Sequence, residues 1–461
     1  MKKNELRKLG VPEHCLKAAL EYCQRASRAG LFQEHEPADL VAQILNDPHA
    51  YLEDETACDF AAALIENSRP PRAEPAPFRV WGEEQIDREA LKQLETACRL
   101  PIAVRAALMP DAHVGYGLPI GGVLATEKAV VPYAVGVDIG CRMKMTVLDI
   151  PAADLERRPE RYEEALRVNT LFGAGASWRQ RRDHPVMDAD WSVSPVTRQY
   201  KDKAWGQLGT SGGGNHFAEF GVVRFKESLN GVEADRPCVA LLTHSGSRGT
   251  GALVCQHYSR IARERMPRQY QWARHLGWLT LDSAEGQEYW AAMNLMGRYA
   301  SANHDVIHRS IVKHLGAEVL LSVENHHNFA WKEIHDGREV IVHRKGATPA
   351  GAGVLGVIPG SMADPAYVVR GKGEESSLCS AAHGAGRRVA RNEARRRFAW
   401  EQWRPLLRQR GIRLLSAGLD EVPGVYKNID EVMRYQSDLV EIIARFEPRI
   451  VRMTDDGSVE D

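Results

Sequence analysis

Side chains of metal-ligand type recur where apolar, strand-like runs of this sequence end. The candidates, in chain order, are Asp138 and Cys141 after the run AVGV, His244 after CVALLT, His326 and His327 after VLLSV, and His343 after VIV. Functional groups often lie at strand ends, where loops converge over a rigid sheet. Four such runs in one chain predict a single cleft.

Five residues form a candidate metal site in this cleft: Asp138, Cys141, His216, His244 and His327. A carboxylate, a thiolate and imidazoles all ligate divalent transition metals, and donor softness alone indicates zinc or iron before manganese. Cys141 has the type of donor that bridges two ions. Taken singly, each residue is better interpreted as a buried thiol or a hydrogen-bonded loop residue, but their shared position at strand ends favours a metal site. The sequence leaves open whether His326 or His327 is the ligand.

Two glycine-rich segments, GTSGGGNHF and HSGSRGTG, offer backbone N–H groups of the kind that hold phosphate. Neither has the GxxxxGK[ST] pattern of a P-loop, so each alone is better interpreted as a turn. Lys345, in VHRKGATPA, is a candidate nucleophile. Lysine-type nucleotidyltransferases need a carboxylate two residues later, where this chain has Ala347. We therefore predict that Lys345 contacts phosphate or is structural.

His383 lies on a glycine step in SAAHGAGRRVARNEARRRF, before a segment rich in arginine. Gly384 and Gly386 let a ligand approach the backbone closely, and the N-terminus of a following helix would favour an anion there. An imidazole beside a phosphate can be a covalent nucleophile that forms a phosphoramidate. The alternative is a capping histidine in front of a solvated arginine helix.

Composition restricts the class of protein. The chain has 461 residues, 44% of them hydrophobic and 26% charged, with a net charge of −1. The net charge gives no general argument for nucleic-acid binding. The charged start MKKNELRKLG argues against a signal peptide, and no apolar run is long enough to span a membrane. Eight scattered cysteines without a CxxC pair indicate reduced thiols, so we expect a cytoplasmic protein.

The sequence predicts two parts. Residues 1–68 are expected to form a helical N-terminal extension, because LVAQILNDPHAYL and CDFAAALIEN have helical apolar spacing. Residues 69–78 are rich in proline, which suits an extended linker. Residues 79–461 alternate strand-like and helical segments and are expected to form the catalytic domain.

Together these segments are similar to the RtcB-type RNA ligase family. The matching segments, in the family's order, are WGEEQID, MPDAHVGYGLPIGGV, GVDIGC, LGTSGGGNHFAEF, THSGSRGTG, HHNFA, VHRKGAT, IPGSM, HGAGR and EVPGVYKNIDEV. The resemblance implies an α+β fold, with mixed sheets around a central metal and nucleotide cleft. The helical extension suggests a divergent paralogue.

The family reaction has three steps. A histidine attacks GTP and is guanylylated with manganese nearby, the GMP passes to an RNA 3′-phosphate, and a 5′-hydroxyl displaces it to seal the strand. A 2′,3′-cyclic phosphate end is first opened to the 3′-phosphate. The resemblance thus implies RNA with such ends, GTP and an archease-type helper as partners, in RNA repair or tRNA splicing, and no membrane.

The matching motifs also imply roles for single residues. The five ligand-type residues would bind two Mn²⁺ ions, with Cys141 shared, and His383 would be the nucleophile. Asp111, in PDAH, would assist ligation at the 5′-hydroxyl. The implied nucleotide site consists of Asn215, His216, Phe217, Ala218, Glu219, His327, Asn328, Pro359, Gly360, Ser361, Met362, His383, Gly384, Ala385 and Gly386.

Two departures from the family pattern fall on the guanosine side. Family members end in a lysine close to a final glycine, whereas this chain has no lysine after Lys427. The family also has a serine before the tyrosine that follows PGSM, where this chain has Ala366. Looser selectivity for GTP is therefore expected. The alternatives are a metal-dependent phosphoesterase of RNA ends, which would activate water at the same site, and a non-catalytic RNA-binding paralogue.

Overall fold

A computed structural model describes residues 1–68, 72 and 74–455 of the chain. Residues 69–71 and 73 of the predicted linker, and the lysine-free end 456–461, lie outside the described residues. The α-helices are α1 (Lys3–Lys8), α2 (Leu16–Arg28), α3 (Leu31–Glu34), α4 (Pro37–Asn46), α5 (Cys58–Ser68), α6 (Arg88–Cys98), α7 (Pro132–Val135), α8 (Ala153–Arg157), α9 (Pro159–Asn169), α10 (Pro195–Gln207), α11 (Arg248–Arg265), α12 (Ala284–Leu315), α13 (Arg391–Arg397), α14 (Trp400–Gln409) and α15 (Ile429–Tyr435).

The strands are β1 (Phe78–Val80), β2 (Ala103–His113), β3 (Ile120–Thr126), β4 (Ala129–Val130), β5 (Arg142–Pro151), β6 (Phe217–Phe225), β7 (Cys238–Ser245), β8 (Leu279–Thr280), β9 (Val319–His326), β10 (Asn328–His335), β11 (Arg338–Lys345), β12 (Ala347–Pro349), β13 (Leu355–Ile358), β14 (Ala366–Gly371), β15 (Ser380–Ala382), β16 (Arg413–Ser416) and β17 (Val440–Met453). Short 3-10 helices lie at Glu13–Cys15, Pro48–Tyr51, Glu83–Gln85, Pro185–Asp188, Trp191–Val193, Arg268–Leu276, Glu375–Ser377, Leu419–Glu421 and Pro423–Val425. The predicted α+β class is confirmed.

The N-terminal helices bury an apolar cluster of their own. In α2, Leu16, Ala19, Cys23 and Ala26 are buried at helical spacing, which places them on one face of the helix. They pack with buried residues of α4 and α5. An ion pair between Lys17 Nζ and a carboxylate of α12 joins this group to the rest of the chain. The division into domains at residues 68 and 79 stays a prediction.

The strands after residue 77 form two large mixed sheets and two small two-stranded sheets, β12-β15 and β4-β8. One large sheet has the order β1-β2-β3-β11-β10, and the other the order β13-β14-β17-β6-β7-β5-β9, with β16 paired to β17. Every residue of β7 is buried, because its two faces contact two apolar clusters. A strand covered on both faces reads as a continuous apolar run, which explains the sequence CVALLT.

The ends of four neighbouring strands meet at one edge of the larger sheet. Phe217, the first residue of β6, is opposite His244 of β7, and Met143 of β5 is also opposite His244. Arg142 of β5 is opposite His326, the last residue of β9. The residues just beyond these pairs are therefore brought together in space.

Two predictions about strand ends are wrong. Residues 134–137 were expected to form a strand, but α7 occupies the first half of this run. It begins at Pro132, a residue favoured in the first helical turn. His343 was expected at the end of a strand, but it lies within β11 and is fully buried. It bonds to the N–H of Val131 and the carbonyl of Leu124 at 2.9 and 3.1 Å, so it is a structural residue outside the cleft. None of the described helices is both long and apolar enough to cross a membrane.

Candidate active site

A cleft of about 950 Å³ lies where the two sheets meet. Its wall includes the end of β2, His327 between β9 and β10, the glycine-rich loop before β6 and the segment after β15. Most of the predicted site residues line it: Asp138, Cys141, Asn215, Phe217, Glu219, His244, His327, Asn328, Pro359, Gly360, Ser361, Met362, His383, Gly384, Ala385 and Gly386. Ala218 and His216 are buried behind this surface and are not part of it.

The five predicted metal ligands form one continuous cluster. Cys141 Sγ lies 3.5 Å from Nε2 of His216 and 3.2 Å from Nε2 of His244. Nε2 of His244 lies 3.2 Å from Nε2 of His327, and Nε2 of His216 lies 3.3 Å from Oδ2 of Asp138. Cys141 therefore stands in the middle, with one carboxylate and one imidazole on one side and two imidazoles on the other.

The histidines of the cluster are held in a form that can ligate a cation. His244 Nδ1 donates to the carbonyl of Asn215 at 3.2 Å, which leaves the Nε2 lone pair directed at Cys141. Burial lowers the pKa of His244 and of His327 well below the ordinary value, so both rings are neutral at pH 7. Nδ1 of His327 is buried and has no hydrogen-bond partner among the described residues. A thiol, a carboxylate and neutral imidazoles facing one another fit a metal better than they fit a hydrogen-bond network.

Asp138 is oriented by the loop that follows β7. Its Oδ1 accepts from the N–H and the hydroxyl of Ser247 at 2.8 and 3.0 Å. Burial acts to raise the pKa of Asp138, but the hydrogen bond to His216, the nearby Arg248 guanidinium and the Ser247 N–H outweigh it and lower the pKa below its ordinary value. A Cβ on Gly246 would lie 2.0 Å from Oδ2 of Asp138. The lack of a side chain at Gly246, in HSGSRGTG, therefore makes room for the carboxylate of Asp138, a predicted metal ligand, rather than for a phosphate.

The structure distinguishes the two neighbouring histidines. His327 is the single residue between β9 and β10, and its N–H donates to the carbonyl of Cys141 at 3.0 Å. His326 points to the opposite side, where its ring packs against Phe329 and Trp331 at 5.1 and 4.9 Å. His327 is therefore the residue in the cluster.

His383 lies beside the metal cluster and is fixed by Asp111. Its ring centroid is 4.9 Å from that of His327, and its Nδ1 is 2.7 Å from Oδ2 of Asp111. The same oxygen accepts from the N–H groups of His383 and Gly384 at 3.2 and 3.3 Å. Since Asp111 is fully buried, this contact places the proton on Nδ1 and leaves the lone pair of Nε2 free.

The contact between Asp111 and His383 depends on close backbone approach. Gly386 has φ +71°, and a Cβ there would lie 1.9 Å from the carbonyl oxygen of Asp111. Lys427 donates to the carbonyls of Pro110 and Ala112, on either side of Asp111, at 3.1 and 2.8 Å. Sequence reasoning did not single out Lys427, although it lies in the motif EVPGVYKNIDEV.

The arginine segment has a role different from the two that were predicted. No helix directly follows His383, because α13 begins only at Arg391. The arginines of α13 form a solvated face only in part: Arg396 and Arg397 are exposed, whereas others are ion-paired to buried carboxylates. Arg391 and Arg395 donate to Asp420 at 3.2 and 3.1 Å. Arg387 donates to Glu421 at 3.2 Å. Both carboxylates are buried, so these arginines fasten the segment after His383 to the loop before α15.

Lys345 lines the cleft but is held by backbone oxygens. Its Nζ donates to the carbonyls of Tyr116 and Leu118 at 2.5 and 3.1 Å. Burial lowers its pKa to about 8. These contacts agree with the predicted structural role and keep a cation beside the cleft.

The cleft wall formed by β6 and β14 contains a buried carboxyl group. Burial raises the pKa of Glu219 well above its ordinary value. Ala366, the predicted departure from the family pattern, is buried at the start of β14 and lines the same wall. It offers no polar atom from its side chain.

Comparisons with known proteins show the family of the chain. The sequence model of the family described as tRNA-splicing ligase RtcB matches residues 93–454. The RNA-splicing ligase RtcB1 of Escherichia coli (strain ATCC 25922) is 33% identical over 401 residues, which cover 80% of this chain and 95% of that protein. The tRNA-splicing ligase RtcB of Thermococcus kodakarensis is 30% identical over 457 residues, covering 81% of this chain and 93% of its own length. The chain belongs to the RtcB family of RNA-splicing ligases.

Proposed function

We propose that this protein is a GTP- and manganese-dependent RNA ligase. It joins RNA 3′-phosphate or 2′,3′-cyclic phosphate ends to 5′-hydroxyl ends through a guanylylated His383, in RNA repair or tRNA splicing. The observation that carries the proposal is the contact between His383 Nδ1 and Asp111 at 2.7 Å, beside a cluster of metal-ligand side chains. The names of the relatives, which are RNA-splicing ligases, support the substrate class.

Two metal ions would share the cluster. Asp138 and His216 would hold one ion, and His244 and His327 would hold the other. The Cys141 thiolate would contribute to both sites. Bound manganese would neutralise phosphate charge and polarise the phosphoryl oxygens. We propose manganese rather than the softer metals because the family resemblance implies it and because metal supply, not affinity alone, decides occupancy.

His383 would act in the first step through Nε2. This atom attacks the α-phosphorus of GTP, an N–P bond forms, and the bond to pyrophosphate breaks with its electron pair leaving on oxygen. The proton stays on Nδ1, so the ring gains positive charge, which the Asp111 carboxylate balances. Asp111 thereby acts on His383; assistance to the 5′-hydroxyl, implied by the resemblance, remains a proposal.

The later steps would use the same phosphoramidate. An oxygen of the RNA 3′-phosphate attacks its phosphorus, and the bond to Nε2 breaks. The RNA 5′-hydroxyl then attacks the activated 3′-phosphate and releases GMP. A cyclic phosphate end is first opened by water.

The guanosine would lie among Phe217, Glu219 and the residues of the PGSM motif. In its ionised form the Glu219 carboxylate would accept from two parallel N–H donors, which the Watson–Crick edge of guanine provides, and these donors would offset the burial that raises its pKa. Ala366 removes one expected polar contact from this pocket, and a site that lacks hydrogen-bond partners discriminates weakly between bases. We therefore propose a looser preference for GTP over ATP than the family pattern implies.

The test is a nucleotidylation assay with α-labelled GTP and MnCl₂, followed by mass spectrometry of the modified peptide. The adduct should be on His383, stable to alkali and broken by acid, and His383→Ala should form none while keeping its metal. A GMP mass shift on Lys345 would refute the mechanism. Absence of any adduct, together with release of phosphate from RNA ends, would favour the phosphoesterase; absence of both would favour the non-catalytic paralogue.

A matched pair of cysteine variants tests the metal site. Cys141→Ala should lose most bound metal and all nucleotidyl transfer, because its thiolate would contact both ions. Cys98→Ala, which removes an equally buried thiol from α6, should keep both. Metal content is measured by elemental analysis, and full metal occupancy in Cys141→Ala would refute the assignment of Cys141 as a metal ligand.

A further inference from the structure

An exposed tyrosine stands at the mouth of the cleft. The loop 114–119 joins β2 to β3, and its Tyr116 side chain is 68% exposed. Tyr116 lines the same cleft as His383. Its ring and hydroxyl have no hydrogen-bond, aromatic or cationic partner among the described residues. The fold therefore gains little from an aromatic side chain at this position.

The backbone that carries Tyr116 is rigid. Gly115 and Gln93 exchange two hydrogen bonds, at 3.0 and 2.6 Å. Lys345 Nζ bonds to the carbonyls of Tyr116 and Leu118. Gly117 has φ +72°, and a Cβ there would lie 2.7 Å from a backbone oxygen, so no larger residue fits. A ring presented on a fixed backbone loses little conformational entropy when a ligand binds it.

The surroundings of Tyr116 suit an anionic strand with flat bases. The Lys345 ammonium lies directly beneath the loop. The backbone oxygen next to Gly117 belongs to His275, in the segment Arg268–Leu276. That segment also exposes Trp272, at 46%, and Arg274. Exposed aromatic and cationic side chains thus also occur on the segment that adjoins the loop of Tyr116.

We propose that Tyr116 is a stacking platform for a nucleobase of the RNA end that enters the cleft, and that Trp272 and Arg274 extend this track along the strand. The inference rests on the proposed ligase function for its substrate. Single-stranded RNA is bound by stacking its bases on aromatic rings while cations contact the phosphates. The position fits an RNA end rather than the guanosine, because Tyr116 follows β2, the strand of Asp111, whereas the proposed guanosine pocket lies near Phe217 and the PGSM motif.

The experiment measures binding of RNA ends directly. Two labelled single-stranded oligonucleotides, one with a 3′-phosphate and one with a 5′-hydroxyl, are titrated by fluorescence anisotropy against the full chain and its variants. Tyr116→Ala should weaken binding of at least one oligonucleotide by about 5- to 150-fold, the range expected for one base–aromatic stack. Tyr116→Phe should bind like the wild type, and Tyr116→Leu should bind weakly, because stacking needs the ring and not its volume. The oligonucleotide that is affected identifies the strand.

Two controls make the result interpretable. Ile334→Ala removes another exposed apolar side chain, 66% exposed and outside the cleft, and should change nothing. Histidine nucleotidylation, which needs no RNA, should persist in Tyr116→Ala. Wild-type affinity of Tyr116→Ala for both oligonucleotides, or equal loss with Tyr116→Phe, would overturn the inference. Absence of nucleotidylation in the wild type would refute the proposed function, but the binding data would still test the role of Tyr116.

Discussion

Replacing Asp111 by asparagine tests whether its charge, and not only its shape, supports His383. The substitution is isosteric, and an amide oxygen at the position of Oδ2 can still accept from the N–H groups of His383 and Gly384. What is lost is the negative charge 2.7 Å from Nδ1 of His383. That charge matters most when the ring becomes positive during attack on GTP.

The size of the effect follows from two limits. A hydrogen bond to a charged acceptor exceeds one to a neutral acceptor by about 1 kcal/mol. Full loss of the attraction between charges about 4 Å apart is about 4 kcal/mol at an effective dielectric constant of about 20. The rate of nucleotidylation should therefore fall by roughly 5- to 1000-fold.

The assay is single-turnover labelling with α-labelled GTP at saturating manganese. Metal content should stay at the wild-type level, since Asp111 contacts none of the five ligands. The control is Asp336→Asn, which removes a carboxylate whose side chain is 65% exposed, paired with Arg105 at the surface. An Asp111→Asn rate equal to that of the wild type would show that the carboxylate only shapes the loop.

Three other predictions use single positions. Gly246→Ala should lose metal, as measured by elemental analysis, because the new Cβ would lie 2.0 Å from Oδ2 of Asp138. The control is Gly206→Ala in α10, where the nearest atom to the new Cβ is 3.5 Å away. This variant should keep its metal, and in thermal melts its free energy of unfolding should rise by about 0.5–1 kcal/mol. Burial lowers the pKa of His343 to about 4, so this histidine binds a proton more readily in the unfolded chain than in the folded one. The free energy of unfolding of the metal-free protein should therefore fall as the pH drops below about 6.5, by about 1.4 kcal/mol per pH unit for this residue. A melting temperature that stays constant between pH 7 and pH 5 would contradict this. Ala366→Ser should raise the preference for GTP over ATP in nucleotidylation, and an unchanged ratio would exclude this position as the cause of looser selectivity.

Much of the site could be predicted because its residues follow strongly apolar runs. His244 lies near the end of β7, which is buried on both faces, and His327 directly follows β9, whose buried residues alternate with more exposed ones. The same reasoning placed His343 in the cleft and failed there, because an apolar run does not show where its strand ends. His343 has three apolar neighbours before it, yet β11 continues to Lys345.

The support of the site could not be predicted, because it depends on contacts between distant segments. Asp111 and His383 are separated by 272 residues. No local pattern indicates that a buried carboxylate will accept from a histidine that far along the chain. The arginines after His383 show the same limit: their spacing in sequence is that of a solvated helix, and only the position of Asp420 shows that Arg391 and Arg395 are paired with a buried carboxylate.

The charge balance of the cleft explains why a nearly neutral protein would need cations to bind a polyanion. The arginines nearest His383 are already paired with Asp420 and Glu421, so they add little free positive charge. With its metal-ligating groups deprotonated, the cluster itself would carry two negative charges, from Asp138 and the Cys141 thiolate, since ligating imidazoles are neutral. The buried Arg248 guanidinium, 3.4 Å from Nδ1 of His216, and the Lys345 ammonium offset this negative charge, so divalent cations would still be needed to give the cluster the positive charge that a triphosphate or an RNA end requires. Metal dependence is thus expected from the side chains alone, before any argument about the chemical step.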